Sequence, residues 1–228
     1  MALTGAGISV ASGIPDFRSA GGLWTQFEPS KYATLDVFLA NPAKAWEFFR
    51  ALGRMLNKAQ PGDAHRALAH LEGRGRLEGI VTQNVDGLHQ AAGSKKVCEV
   101  HGNSKTLHCL NCTYVEEVVN RSQSLDEPPI CPNCGFVLKP NVVLFGEPIK
   151  CWEEADFLIG ECDLLLVIGT SASVFPIAEL PDRVKAQGGS VIEFNLIETR
   201  ISCRSDCVIR GETDTTVPRF VESLLTFV

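Results

Sequence analysis

Four cysteines in two pairs are the strongest chemical signal in the sequence. Each pair has two residues between its members, and eighteen residues separate the pairs. A two-residue gap lets both thiolates of a pair reach one tetrahedral ion, and this overall spacing is typical of a zinc ribbon. Four sulfur ligands leave no position open for a substrate, so the predicted zinc ion is structural. Its ligands would be Cys109, Cys112, Cys131 and Cys134.

Three other interpretations of these cysteines stay open: two redox dithiols, ordinary buried cysteines, or a zinc ribbon that binds nucleic acid. The last is disfavoured because Arg121 is the only basic residue between the two pairs. The other five cysteines lack such spacing and are expected to pack in the interior. They are Cys98, Cys151, Cys162, Cys203 and Cys207.

A cluster of hydrogen-bonding side chains follows the apolar run at residues 79–82. Gln83 and Asn84 come directly after the run, and Asp86 lies two residues further on. In an open parallel sheet, ligands bind outside the carboxyl ends of the strands. These side chains are therefore predicted to bind a small polar ligand, although a single buried amide often does no more than satisfy backbone groups.

A glycine-rich loop opens the chain with the sequence TGAGISVASGIPDFRS, residues 4–19. Gly5 and Gly7 allow a tight turn and a close approach of backbone N–H groups to a diphosphate. As a dinucleotide motif the loop is imperfect, because Val10 stands where a third glycine would fall. A bare pair of glycines is often only a turn, but the mixed polar continuation to Arg18 has no obvious use in a core.

The elements that must position these residues alternate between strands and helices. Strands are predicted in GIVTQN, KKVCEVHG, NVVLFGE, DLLLVIGTS and GSVIEFN, and helices at 42–57, 64–72, 152–161, 177–187 and 216–226. This alternation predicts an α/β fold, a Rossmann-like parallel sheet with helices on both faces. Residues 34–74 are predicted to be a helical insert without a strand, and the cysteine segment a small inserted zinc-ribbon module.

Composition narrows the class of protein. The 228 residues carry a net charge of −6, and no long basic run is present, so direct binding to nucleic acid is not expected. No stretch is apolar enough to predict a membrane span, and the first residues lack the pattern of a signal peptide. The number of cysteines is odd, nine, and four of them form the two pairs, which favours a reducing compartment and a cytoplasmic location.

Together these segments resemble the sirtuin family, the NAD-dependent protein deacylases. Within the family they resemble a prokaryotic-type member. The shared motifs are GAGISVASGIPDFR, TQNVDGLH, the His101-Gly pair, the four cysteines, VVLFGE, GTSASVFP and the FN pair ending at Asn195. They occur in the family's order and cover nearly the whole chain. The resemblance implies a single catalytic domain over 1–228: a Rossmann-like part (1–33, 75–107 and 137–228), a helical insert (34–74) and a zinc-binding module (108–136). The family's longer first strand implies either a start upstream of Met1 or a short first strand here.

The resemblance also implies two sets of binding residues. NAD, which would be consumed as a co-substrate, would contact Gly5, Ala6, Gly7, Ile14, Asp16, Phe17, Arg18, Gln83, Asn84, Asp86, Gly169, Thr170, Ser171, Asn195 and Gly211. An acetylated or acylated lysine in a protein or peptide would lie against Val143, Phe145, Gly146, Glu147 and Val174.

The chemistry implied by the resemblance assigns catalytic roles to His101 and Asn84. The acyl-lysine amide oxygen attacks C1′ of NAD, and His101 is the general base that lets a ribose hydroxyl attack the resulting imidate. Nicotinamide, free lysine and O-acyl-ADP-ribose are the products. Family members that remove succinyl or malonyl groups carry Tyr and Arg where this chain has Phe49 and Leu52, so acetyl and longer apolar acyl groups are expected as substrates.

Two rival functions use the same residues differently. A mono-ADP-ribosyltransferase would pass C1′ to a protein side chain and would need no acyl channel. A noncatalytic NAD-binding or zinc-binding module would be indifferent to loss of His101. The sequence does not indicate the physiological protein substrate, the oligomeric state or the regulation.

Overall fold

A six-stranded parallel sheet forms the centre of the fold. The computed structural model of the chain describes residues 1–118 and 127–226, so Arg121 and part of the predicted 108–136 module lie outside the described residues. The strands of this sheet are β1 (Ala2–Thr4), β2 (Ile80–Thr82), β3 (Val97–Glu99), β7 (Leu164–Ile168), β8 (Ser190–Asn195) and β9 (Cys207–Arg210), in the order β3-β2-β1-β7-β8-β9. Chain order reverses between β1 and β7, the point at which open α/β sheets bind ligands.

A second, three-stranded antiparallel sheet adjoins the first. It consists of β4 (Gly102–Cys109), β5 (Val115–Glu117) and β6 (Leu138–Val142) in the order β5-β4-β6. The predicted parallel strand in NVVLFGE is therefore wrong, because its first residues pair antiparallel with β4. A short apolar run does not distinguish the two kinds of strand. Pro140 was the available signal, since proline within a strand indicates an edge position, and β6 is an edge.

The helices agree with the periodicity of the sequence in most places. They are α1 (Leu23–Gln26), α2 (Pro29–Tyr32), α3 (Leu35–Ala40), α4 (Pro42–Leu56), α5 (Asp63–Gly73), α6 (Leu88–Ala91), α7 (Trp152–Gly160), α8 (Leu180–Ala186) and α9 (Thr213–Thr226). The predicted helix at 177–187 divides at Leu180, because residues Ile177–Glu179 form a 3₁₀ turn before α8. Among the helices in 1–118 and 127–226, none is both long and apolar enough to cross a membrane.

Apolar side chains cover both faces of the central sheet. Along β7, Leu165 and Val167 pack with α7 and α8 on one face, whereas Leu166 and Ile168 pack with α5 and α9 on the other. This alternation follows from the two-residue period of a strand. A separate apolar cluster joins α4 to the small sheet, where Trp46 Nε1 donates to the carbonyl of Leu138 at 2.9 Å. The small sheet is thus packed on α4 through a cluster of its own.

Two glycines allow the loops after β1 and β7 to touch. Gly7 donates its N–H to the carbonyl of Gly169 at 2.8 Å, and a Cβ added to Gly7 would lie 2.7 Å from Gly169 Cα. Gly169 has φ +60°, a left-handed conformation in which a side chain is strained. Backbone against backbone contact of this kind leaves no space for a methyl group.

Replacing Gly7 by alanine is expected to destabilise the fold by about 1–3 kcal/mol, because the loop must shift to accommodate the methyl group. Urea unfolding curves measure the difference. Gly53→Ala is the matched control: Gly53 lies within α4 with no atom within 4 Å of its added Cβ, so it should be neutral or stabilising by up to about 1 kcal/mol. Equal midpoints for Gly7→Ala and the unmodified chain would contradict the close packing described.

Candidate active site

The predicted cofactor residues meet where the chain order of the central sheet reverses. Gly5, Ala6 and Gly7 follow the end of β1, and Gly169, Thr170 and Ser171 follow the end of β7, its neighbour. Gly5 donates its N–H to the carbonyl of Ile168 at 3.1 Å, which fixes one loop on the other. The cleft therefore has a backbone floor formed from two crossing turns.

Thr170, which follows β7, is hydrogen-bonded to the polar side chains that follow β2 and end β8. Gln83, after β2, donates its amide N–H to Thr170 Oγ1 at 2.9 Å. Asn195, the last residue of β8, donates to the carbonyl of Thr170, also at 2.9 Å. Gly211, after β9, donates its N–H to the carbonyl of Asn195 at 3.2 Å. The four predicted residues thus form one continuous hydrogen-bonded edge of the cleft.

Asn84 and Asp86 are joined through Ser9, a residue that the sequence analysis did not select. Asn84 Nδ2 donates to the carbonyl of Gly5 at 3.2 Å and to Ser9 Oγ at 3.0 Å, and the Ser9 hydroxyl donates to Asp86 Oδ2 at 2.7 Å. All three side chains are buried. The position of Ser9 within GAGIS, directly after the glycines, was the only signal for it.

Two buried histidines lie beneath this group and were also missed. His65 Nδ1 accepts from the N–H of Gly62, so its Nε2 carries the proton and points at Ser9 Oγ, 3.4 Å away. The ring of His89 lies 4.9 Å from that of His65, and its Nε2 is 2.9 Å from Thr4 Oγ1. Burial lowers the pKa of His65, and burial together with the nearby His65 lowers the pKa of His89 to about 3. Both rings are therefore neutral at pH 7.

Stability is expected to fall as the pH drops below about 6.5. In the unfolded chain a histidine binds a proton below about pH 6.5, whereas folded His89 does so only near pH 3. Between those values the unfolded state holds more protons, so the free energy of unfolding decreases by about 1.4 kcal/mol per pH unit for this group. Chemical unfolding at pH 7.5, 6 and 5 measures the slope. A His89→Gln variant should have a shallower slope, and an unchanged slope would contradict the role of His89.

His101 is held with one ring nitrogen available for chemistry. It follows β3, and its Nδ1 lies 3.0 Å from the backbone carbonyl of Gln83. A carbonyl only accepts, so Nδ1 carries the proton and Nε2 keeps its lone pair. Burial lowers the pKa of His101, an effect opposed by the hydrogen bond to Gln83. A neutral imidazole with a free Nε2 is the form required of a general base.

The loop that follows Gly13 is organised by Asp16. Its Oδ1 accepts from the backbone N–H groups of Arg18 and Ser19 at 2.9 and 2.8 Å, which closes a tight turn. Ile14 is buried, whereas the side chain of Arg18 is exposed. Asp16 therefore shapes the loop through its carboxylate and is not brought to Asn84 by any contact of its own among the described residues.

A row of packed aromatic rings connects the loop after Gly13 to the predicted peptide site. Phe17 packs on Trp24 with ring centroids 4.8 Å apart, and Trp24 lies 6.2 Å from Phe145. Phe145 itself is 46% exposed and pairs its backbone with the carbonyl of Ala33 and the N–H of Leu35. An exposed large aromatic side chain such as Phe145, three residues beyond the end of β6, suits contact with a ligand.

The remaining predicted peptide residues are arranged around a buried ion pair. Glu147 contacts Lys139 Nζ at 2.9 Å and accepts from the N–H of Leu144 at 2.7 Å, so its carboxylate faces inward. Val143 donates its N–H to the carbonyl of His101 at 2.8 Å, and Val174 is half-buried in the loop after β7. Burial lowers the pKa of Lys139, opposed by Glu147. Glu147 can therefore serve a peptide only through its backbone.

The four paired cysteines converge on one point. Their sulfur atoms all lie within 4.8 Å of one another, with Cys109 and Cys134 at 3.4 Å and Cys112 and Cys131 at 3.6 Å. These distances are far above a disulfide bond and close to the ~3.8 Å expected between sulfurs around a tetrahedral zinc ion. The donor set and its spacing fit one structural zinc ion.

The cleft also fits an amide-bearing ligand. Both protons of Asn84 Nδ2 are used by protein oxygens, whereas its Oδ1 accepts no hydrogen bond within the described part of the chain. Asn84 is only 6% exposed, so this oxygen is a fixed acceptor at the base of the cleft. Such an acceptor matches the N–H₂ group of a carboxamide like that of nicotinamide.

Comparison with known proteins agrees with this geometry. A model of the Sir2 family matches residues 5–176. An NAD-dependent protein deacylase of Thermococcus kodakarensis is 43% identical, over 97% of this chain and 89% of its own length. An NAD-dependent protein deacetylase of Sulfurisphaera tokodaii is 44% identical, also over 97% of this chain and 89% of its own.

Solved structures extend the similarity to the fold. A Sir2 homologue in complex with NAD superposes with a TM-score of 0.93 at 38% identity, covering 99% of this chain and 89% of that one. A Sir2 protein with a deacetylated p53 peptide and 3′-O-acetyl ADP-ribose has a TM-score of 0.88 at 35% identity, covering 99% and 92%. With a matching family model and relatives above 40% identity over almost its full length, the chain belongs to the Sir2 family.

Proposed function

We propose that this chain is an NAD-dependent protein lysine deacylase that converts an acyl-lysine and NAD into free lysine, nicotinamide and O-acyl-ADP-ribose. The observation that carries the proposal is His101, whose unprotonated Nε2 shares a cleft with Gln83 and Asn84. Relatives named as deacylases and deacetylases support the same activity. The four-cysteine zinc site is structural and takes no part in the reaction.

Each part of NAD has matching groups in the cleft. NAD supplies the ADP-ribosyl group and releases nicotinamide. We assign the carboxamide to Asn84, with Ile14 and Asp86 beside it, and the diphosphate to the glycine turns, where the lack of side chains lets a ligand approach the backbone closely. Gln83 and Asn195, joined through Thr170, would bind ribose hydroxyls of the two halves. The other proposed NAD contacts are Ala6, Asp16, Phe17, Arg18, Ser171 and Gly211.

The acyl-lysine would enter between Phe145 and the loop that contains Val174. Gly146 is exposed beside Phe145, so a peptide can add to this edge by main-chain hydrogen bonds. Val143, bonded through its backbone to His101, places the acyl channel next to the general base. Such main-chain contacts do not depend on the side chains of the peptide. The site is therefore expected to accept many sequences on either side of the acyl-lysine.

Acyl groups without charge are expected to be preferred. Phe49 and Leu52 are 5% and 4% exposed within the apolar cluster of α4, and neither can pair with a carboxylate. Burial of an unpaired succinyl carboxylate costs several kcal/mol. Acetyl and longer apolar chains avoid this cost, which favours them over succinyl and malonyl groups.

The pH dependence of kcat/KM should report on His101. Burial lowers its pKa, and the base is active only when neutral, so activity should hold at pH 7 and fall only below about pH 6.5. A pH profile with acetyl-lysine peptide at saturating NAD measures this acid limb. A limb centred above pH 7 would contradict a neutral, buried His101.

The activity itself is tested with NAD and acetyl-, succinyl- and myristoyl-lysine peptides, following all products by mass spectrometry. Nicotinamide, deacylated peptide and O-acyl-ADP-ribose in equal amounts are expected, with least turnover of the succinyl peptide. ADP-ribose attached to protein would instead indicate a mono-ADP-ribosyltransferase. Absence of NAD turnover with every peptide would reject the enzyme and leave a binding module.

A cytoplasmic location is part of the same proposal. All nine cysteines are free, and none forms a disulfide bond, which suits a reducing compartment. Net charge −6 makes direct nucleic-acid binding unexpected. Fractionation of cells that express the tagged full chain tests the location, and recovery in the membrane or secreted fraction would reject it.

A further inference from the structure

A second group of metal-ligating side chains lies on the far edge of the central sheet. It consists of Cys98, Cys151 and Glu154, whose ligand atoms all lie within 4.8 Å of one another. Cys98 is on β3, the edge strand, whereas Cys151 and Glu154 belong to the start of α7. The spacing C-x-x-E in α7 repeats the two-residue gap of the zinc knuckles, with a carboxylate in place of the second thiol.

The backbone conformation at Cys151 brings this residue into contact with Cys98. Cys151 has φ +50°, one of two non-glycine residues with positive φ among those described, and it precedes the first turn of α7. In this conformation its carbonyl accepts from the Cys98 thiol at 3.3 Å. Lys150, just before it, donates its N–H to the carbonyl of Val100 at 2.9 Å, which fixes the turn against β3. The three ligand atoms are therefore held by secondary structure.

The chemistry of the three groups suits a cation. The two thiols and the carboxyl group become like charges at close range when they ionise, and a cation between them would remove that repulsion. In the described ranges, Glu154 forms no ion pair with a Lys or Arg. A disulfide between the thiols would leave the carboxylate without a partner. A metal ion would use all three groups.

The sequence analysis placed Cys151 in the interior, and that expectation is wrong: Cys151 is exposed, as are Cys203 and Cys207, whereas Cys98 and Cys162 are buried. Exposure gives an ion direct access from solvent. We infer that Cys98, Cys151 and Glu154 form a second metal site, which takes a thiophilic divalent ion such as Zn²⁺. With three protein ligands, the fourth position of a tetrahedral ion is open to water.

The test counts zinc ions per chain. The full chain is dialysed against buffered free Zn²⁺ with a phosphine reductant, which keeps the thiols reduced, and bound zinc is measured by mass spectrometry. Two zinc ions per chain are expected for the unmodified protein and one for Cys151→Ser. Glu154→Gln should need at least about tenfold more free zinc for half-occupancy of the second site, because even outer-shell groups are worth that much.

Matched controls come from neighbouring exposed residues. Cys203→Ser and Glu153→Gln change the same groups outside the cluster and should keep two zinc ions. Co²⁺ added to protein that carries only one zinc ion per chain should give a sulfur-to-cobalt charge-transfer band that is absent in Cys151→Ser. Saturation of the unmodified protein at one zinc ion would overturn the proposal, as would two zinc ions in Cys151→Ser. A Cys98–Cys151 disulfide that persists in the phosphine reductant would also overturn it, because it removes two of the three ligands.

Discussion

His101→Ala is expected to lower kcat/KM for an acetyl-lysine peptide by 10²- to 10⁴-fold, the usual contribution of a positioned general base. The reason is geometric: Nδ1 is engaged with the carbonyl of Gln83 at 3.0 Å, so Nε2 is the free base in the cleft. No other histidine described is placed to replace it, since His65 and His89 are buried under the site. Steady-state kinetics with varied peptide at saturating NAD measure the loss.

Two controls separate chemistry from folding. His70→Ala removes an exposed imidazole from α5 and should leave kcat/KM unchanged. The shift in Tm caused by NAD should be the same for His101→Ala and the unmodified protein, because the carboxamide and diphosphate sites do not use the imidazole. Activity within tenfold of the unmodified protein would reject His101 as the base. Loss of the NAD-dependent shift would mean that the variant acts through cofactor binding instead.

Removal of the structural zinc ion should have the second largest effect. Cys131 is 1% exposed, and Cys131→Ser would leave three cysteines, too few to hold the zinc ion that joins the two pairs. Loss of a structural metal is among the changes that cost more than about 4 kcal/mol, which for this chain length lowers Tm by about 10 °C. Activity should fall by about 100-fold as well, because β4 runs from the zinc ligand Cys109 to the residue beside His101.

The zinc prediction is checked by zinc content, Tm and kcat/KM measured on the same preparation. Cys207→Ser, which alters an exposed cysteine in β9, should change none of the three. A strong chelator applied to the unmodified protein should reproduce the variant, and zinc added back should restore it. Full activity at zero zinc content would contradict the prediction, because it would mean that the small sheet stays folded without metal.

The central sheet and the motif residues could be predicted because each carries a local signal. Glycines at a turn, amides after an apolar run and paired cysteines are informative wherever they occur. The second sheet could not be predicted, because the pairing of β4 with β6 joins residues 29 to 40 positions apart, and Pro140 is the one local signal of it in the sequence. Ser9 and His65 were missed for a similar reason: each acquires its role only when β1 and α5 come together.

Strand β4 connects the proposed active site to the proposed zinc site. Gly102 at one end adjoins His101, the proposed general base, and Cys109 at the other is a proposed zinc ligand, with Val143 and Leu138 pairing beside those ends. A one-residue insertion or deletion in a strand reverses the face of every residue beyond it. Changes of length between 102 and 109 would therefore misdirect either the imidazole or the thiolate. Over evolutionary time this span should keep a constant length even where its side chains diverge.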